Sequence, residues 1–361
     1  MSHPFSRRPD WTGLSDALFG FGTGFGLEPV PRDRLRDYIR SLAPTARLDA
    51  SIWSDYAELY GESLSELAGE DVARANRVVE RLYATPLTHG FLQGHMVHDS
   101  LTTNPAARLH VGRIILDRLV RLSEAVGAAR VQSREHGQTH FVIEDLDGLF
   151  AAIEERIGID LVPPSQAGEL FGVRLAKGIF SDRHFDGVYG AWRAHAVARA
   201  FGIQSPAFLE IGGGSGHLAY YARQLGCTRF AIVDLPPVLV PQYVLLATAF
   251  GAEAVSFGYR SDPGIALVNA YGEGGDRFTD WDVVINIDSL PEMAPVDAGS
   301  YLDRIRPGGL FLSINQESAV QNGDHRQNVV ADLARARGFR CHARMPAWLR
   351  TGWVEEVFQA P

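Results

Sequence analysis

From Ala207 to the C-terminus, short apolar runs alternate with segments of helical periodicity, and the first run ends in a cluster of glycines. The runs are AFLEIG, TRFAIVD, AEAVSF, WDVVINID, GGLFLSIN, FRCHARM and EEVFQ; helical patterns run to Leu225, from Val238 to Phe250, after WDVVINID, and up to Arg337. Strands this apolar need cover on both faces, and strands separated by helices pair in parallel because each crossover returns the chain across the sheet. The alternation predicts an α/β, Rossmann-like fold whose ligand sits outside the carboxyl ends of the strands, where strand order reverses. The residues just after each strand are therefore the ones to read for function.

The stretch FLEIGGGSGHLAYYA takes the first strand through Gly212, Gly213, Gly214, Ser215 and Gly216 into a helix. Glycines let the backbone turn sharply and approach a ligand without a Cβ in the way, and the free N–H groups of the next helix favour an anionic group. Gly214, Gly216 and Ala219 satisfy the G-x-G-x-x-A form of the dinucleotide fingerprint, which keeps an NAD-dependent oxidoreductase open. Glu210 adds the pattern E-x-G-x-G-x-G. The second strand ends at Asp234, whose carboxylate can accept hydrogen bonds from two ribose hydroxyls; NAD enzymes share such an acid.

Two further segments, WDVVINIDSLPEMAP and GGLFLSINQES, complete a set with FLEIGGGSGHLAYYA and VDLPPVL. Together they resemble a bacterial family of sugar O-methyltransferases, which carry a glycine-rich E-x-G turn, a V-D-L-P strand end, an N-x-D-S-x-x-E-M segment and a following N-Q. The resemblance covers residues 165 to 361. It implies a class I methyltransferase sheet with a mainly helical N-terminal region, S-adenosyl-L-methionine as cofactor, and a hydroxylated small molecule, a sugar or a glycosylated natural product, as acceptor. In such a site Gly212, Gly214 and Gly216 form the turn and Glu210 lies near the amino group of the methionine moiety. Asp234 and Leu235 bracket ribose and adenine, Phe257 covers the adenine face or packs in the core, and Asn286 passes under the cofactor or satisfies a buried backbone group. Ser215 and His217 depart from the family pattern, which expects an aromatic and a small residue.

Methyl transfer to a hydroxyl is an in-line displacement that gains from a positioned base. Asp288, at the end of WDVVINID, is the first candidate; Glu292 and His325 are the others. Asp288-Ser289 with Glu292 also reads as a helix cap, the structural alternative for both acids. Asp288 and Asn315 are the oxygen ligands a Mg²⁺-assisted variant would use, but the following Asn315-Gln316 carries too little charge, and a metal-free mechanism is expected.

The first half reads as helices: RDRLRDYIRSLA, ESLSELAGEDVARANRVVERLYA, ARLHVGRIILDRLVRLSEAVGAA and DLDGLFAAIEERIG place apolar residues three and four apart. ALFGFGTGFGL reads as a loop because of its glycines. The expected organisation is a helical lid and dimerisation region over 1–165, a connecting helix over 166–200 and a cofactor-binding domain over 201–361. Arg183, Tyr189 and Arg193 on the connecting helix are candidates to touch cofactor or acceptor, and His89, His95 and His98 read as packing or acceptor-pocket lining. The formal charge of −9 argues against nucleic acid as partner, and no apolar run is long enough for a membrane span. Two cysteines, Cys227 and Cys341, read as inert packing and fit a reducing cytoplasm. A non-catalytic cofactor-binding assembly protein is the remaining class.

Overall fold

A computed structural model of the chain describes residues 14–22, 32–42, 57–131, 145–164, 168–260, 262–271, 278–318, 321–322 and 325–361. The helical part comprises, after a short strand β1 (Phe19–Phe21), the helices α1 (Arg32–Ser41), α2 (Ala57–Ala68), α3 (Val72–Glu80), α4 (His95–Thr103), α5 (Pro105–Ala125) and α6 (Leu146–Ile157). Polar caps set several of these starts. Asp71 accepts from the N–H groups of Ala73 and Arg74 at the head of α3, and Asn104, followed by Pro105, does the same for α5. The spacing of Val111, Ile115, Leu116, Leu119 and Leu122 puts one apolar stripe of α5 into the core.

Residues 168–200 hold more than the expected connecting helix. A hairpin of β2 (Phe171–Leu175) and β3 (Gly178–Phe180) precedes α7 (Asp182–Ala200). Phe19–Phe21, read as loop from its glycines, pairs antiparallel with Phe171–Val173 and makes the third strand of a small sheet. Gly112 of α5 lets this strand approach closely: a Cβ there would lie 2.4 Å from the Phe19 ring.

The main sheet is built from β4 (Ala207–Ile211), then α8 (His217–Gln224), β5 (Arg229–Asp234), α9 (Leu239–Phe250), β6 (Val255–Phe257), β7 (Gly264–Asn269), β8 (Val283–Ile287), α10 (Pro295–Asp303) and β9 (Leu310–Gln316). The two-residue strands β10 (Gln321–Asn322) and β11 (His325–Arg326), α11 (Val330–Ala336), β12 (Arg340–Pro346) and β13 (Trp353–Gln359) complete the chain. Strand order is β12-β13-β9-β8-β4-β5-β7-β6, parallel from β9 to β6, with β13 antiparallel to both β9 and β12. The chain leaves β4 in one direction and returns across it to β8. The reversal of a doubly wound Rossmann-like sheet thus lies between the ends of β4 and β8.

The alternation expected from the sequence is present with one strand added. GIALVN forms β7 and inserts between β5 and β6, so AEAVSF supplies the edge strand. Successive residues of β4 face opposite ways: Phe208 joins the core shared with α5, α7 and α9, while Leu209 and Ile211 join a second core with Trp281, Leu302 and Val330. The first core runs without interruption from the helical region into one face of the sheet, across residues 165 and 200. Cys227 is buried, whereas Cys341 is exposed on the edge strand β12. Among the described residues no helix is long and apolar enough to cross a membrane.

Candidate functional site

At the strand-order reversal a cavity of about 410 Å³ opens between the sheet and the helical region, within the range of roughly 300–1,000 Å³ usual for small-molecule sites. His89, Arg183, Gly212, Gly214, Asp234, Leu235, Asp288 and Glu292 line it, so eight of the residues singled out in the sequence converge on one space. The glycines are required. Gly212, Gly214 and Gly216 have φ of 72°, 54° and 83°, in the left-handed region. A Cβ on Gly212 would also lie 2.2 Å from the Ser289 hydroxyl.

Two carboxylates flank this turn. Asp234, at the end of β5, accepts from the Leu235 N–H at 2.8 Å and from Gln242 Nε2 at 2.7 Å, and Gln242 also donates to the Gly214 carbonyl at 3.0 Å. Gln242 thereby braces the acid against the glycine turn. Burial nevertheless raises the Asp234 carboxyl to about 6, against hydrogen bonds that favour its charged form. Glu210 lies behind the turn, 4% exposed, with an Oε2 that no protein group satisfies. Burial, helped by the charge of Asp234 and opposed by Arg183, raises Glu210 to about 8.

Asp288 follows β8 at φ 70°, a left-handed conformation that a non-glycine residue adopts at a cost. Its backbone N–H donates to Asn315 Oδ1 at 2.9 Å, which employs the oxygen a metal would need, and Arg350 Nη1 donates to its Oδ2 at 2.7 Å. Arg350 simultaneously holds Asp186 at 2.7 Å and lies over the Trp353 ring at 4.2 Å. Burial opposes ionisation of Asp186, but Arg350 and Arg118 outweigh it and hold that carboxyl low. For Asp288 burial wins over the same Arg350, and its carboxyl is raised. Among the described residues no three His, Cys, Asp or Glu side chains are grouped as a metal site.

The expected cap at Asp288-Ser289 is not formed. Ser289 precedes a single turn, Leu290–Glu292, without a side-chain cap, and its hydroxyl donates instead to the Ile211 carbonyl at 2.8 Å. Asn286 is fully buried beneath, bonded to the same carbonyl at 2.9 Å and to Ser289, outside the cavity lining. It ties β8 to β4, the structural reading of the two. Phe257 is displaced by the insertion of β7: it stacks on Tyr38 at 3.7 Å and on Tyr243 at 4.6 Å, and does not line the cavity. Ala270 and Tyr271, after β7, line the cavity instead. Tyr189 and Arg193 also point elsewhere, both bonding the fully buried Glu355. The backbone of His325 lies in β11, and the role read for its side chain falls outside the described residues.

The helical region supplies further lining, including two of the residues singled out in the sequence, His89 and Arg183. His89, Phe91 and Met96 line the cavity, with Arg183 from the start of α7. Burial and the neighbouring His95 lower the His89 pKa, so its imidazole is neutral at neutral pH. His95 instead contacts the Ala84 carbonyl, and buried His98 pairs with Glu169 at 3.0 Å. Ser215 and His217 bond each other at 2.7 Å under the turn, next to His184. Burial pushes His217 down to about 3.

No protein-family model matches the chain, and no curated protein matches it in sequence. Among solved structures the chain is similar to the 1,6-didemethyltoxoflavin-N1-methyltransferase of Burkholderia thailandensis, bound to 1,6-didemethyltoxoflavin and S-adenosylhomocysteine. That match has 22% identity over 47% of this chain and 78% of the other, with a TM-score of 0.32. The CcbJ methyltransferase of Streptomyces caelestis matches at 14% identity over 49% and 95% of the two chains, with a TM-score of 0.36. The glycopeptide N-methyltransferase MtfA, complexed with S-adenosylhomocysteine, matches at 18% over 48% and 90%, with a TM-score of 0.35.

Proposed function

We propose that the chain is an S-adenosylmethionine-dependent O-methyltransferase acting on a hydroxyl of a sugar or of a glycosylated small-molecule natural product. The observation that supports this most is the pair of buried acids around the glycine turn. Glu210 keeps an unsatisfied oxygen at a position where a protonated amine would find it, and its burial, which raises its pKa, would be offset by such a partner. S-adenosylmethionine carries both a sulfonium and an ammonium group. The pyrophosphate of NAD would bring further negative charge to the same acids, which disfavours the oxidoreductase reading.

In this reading Gly212 and Gly214 admit the backbone-side approach of the ligand, Asp234 accepts from ribose hydroxyls, and Leu235, Ala270 and Tyr271 enclose adenine. When bound, the cofactor supplies an electrophilic methyl group. The chain's own task is then to hold an acceptor hydroxyl in line and remove its proton. Asp288 Oδ1 is the first candidate acceptor of that proton, because its Oδ2 is fixed by Arg350 and its raised pKa increases basicity. Glu292 and neutral His89 are the other bases within the lining. Phe91 and Met96 help to keep water from the reacting atoms.

A second reading, methylation of an amine, draws on Asp288, Glu292 and Asp297 in the same wall, which suit a cationic acceptor. One experiment separates these classes: transfer of labelled methyl from S-adenosylmethionine to parallel panels of glycosides and aminoglycosides. Label on hydroxyls supports the proposal; label only on amines selects the second reading. Binding of S-adenosylhomocysteine with no transfer to either panel points to the non-catalytic class.

A further inference from the structure

Arg183 carries a half-buried guanidinium that no described residue pairs directly, although Glu210, Asp186 and Asp288 lie near enough to feel its charge. No carboxylate lies within ion-pair distance, it makes no hydrogen bond, and its Nε is buried without a partner. Arg350, which bonds the cavity-lining Asp288 from behind, shows the usual solution, with two carboxylates clamped around one guanidinium. A partly desolvated guanidinium with a buried, unpartnered N–H in a cleft marks a place where a ligand can supply a directly bonded anion.

Its position narrows what that anion is. Arg183 Nη1 stands over the glycine turn, 3.7 Å from where a Cβ on Gly214 would be, and the Phe91 ring stands 3.9 Å from the same point. The guanidinium carbon lies 4.9 Å from the Phe91 centroid, a cation–π contact that fixes its direction. Behind the same turn is Glu210 with its unsatisfied oxygen. A positive group before the turn and a negative one behind it match a zwitterion.

We infer that Arg183, held by Phe91, is the specificity residue that binds the carboxylate at the amino-acid end of the methyl donor. This rests on the proposed methyl-donor reading. It also assigns the helical region a part in donor recognition, because Phe91 lies outside the glycine turn and the sheet.

The test uses the full chain and two ligands: S-adenosylhomocysteine, and 5′-methylthioadenosine, which keeps the nucleoside and thioether but lacks the amino-acid end. By calorimetry, R183M should weaken S-adenosylhomocysteine about 10- to 100-fold while methylthioadenosine changes by less than about twofold. R183K should fall between, since an ammonium cannot reproduce the fork of a guanidinium. F91A should lose roughly a few-fold, for S-adenosylhomocysteine alone. Should R183M fail to fold, R183K and F91A carry the same contrast. Unchanged S-adenosylhomocysteine affinity in R183M, or equal loss of both ligands, overturns the assignment. Wild-type protein that binds neither ligand overturns the methyl-donor reading itself, a result distinct from wild type binding both with R183M unaffected.

Discussion

Replacing Gly212 by alanine tests whether the turn is shaped by its neighbours as well as by its own backbone. Alanine at φ 72° carries a left-handed strain of about 1–2 kcal/mol. The new Cβ would lie 2.2 Å from Ser289 Oγ and 2.3 Å from Ser289 Cβ, so Ser289 must move. That serine bonds the Ile211 carbonyl at 2.8 Å and Asn286 at 2.5 Å, and losing both bonds costs about 1–3 kcal/mol more. Gly127 provides the control: its φ is 76°, and a Cβ there meets nothing within 4 Å. Urea unfolding should therefore show G127A destabilised by about 1–2 kcal/mol and G212A by about 2–5 kcal/mol. In G212A/S289G the cost should be less than the sum of the two single changes, because the clash is removed. G212A no less stable than G127A would refute the reasoning.

Three further outcomes follow from the site. R350M should destabilise the fold by roughly 3–5 kcal/mol in urea titration, since it leaves Asp186 buried without its main partner. D288N should fold, because asparagine tolerates the left-handed backbone, yet lower turnover about 10²- to 10⁴-fold with S-adenosylhomocysteine affinity nearly unchanged; normal turnover removes Asp288 as the base. Glu210 binds its proton more tightly folded, at about 8, than unfolded, at 4.5, so between these values the folded chain holds more protons. Stability of the ligand-free protein should then fall as pH rises from about 4.5 to 8, by a few kcal/mol in total, and E210Q should flatten that part of the urea-midpoint profile.

What the sequence reveals here is mostly local. Gly212 to Gly216, Asp234 and Asp288 announce themselves because each follows an apolar strand directly, and a parallel sheet brings those ends together whatever the helices do. The strand GIALVN is equally apolar and bounded by turn residues, but AEAVSF already supplies a third strand when read along the chain. Pairing order is a long-range property, and with β7 between them Phe257 is carried one strand away from the cavity. The partners of Tyr189 and Arg193 have a signal that could have been used: Glu355 is a charged residue in an apolar strand, and such a residue needs a buried partner. Arg183 and His89 stand out in the sequence only beside Tyr189, Arg193, His95 and His98, which do not line the cavity, and nothing local distinguishes Phe91 from residues of any loop. Their role emerges only when the helical region closes over the sheet.

A crystal structure of the full chain with S-adenosylhomocysteine addresses the central claim most directly. The account predicts the adenosine hydroxyls on Asp234, the amino group at Glu210 and the thioether sulfur facing Asp288. Ligand density elsewhere, or an empty crevice at saturating ligand, would contradict it.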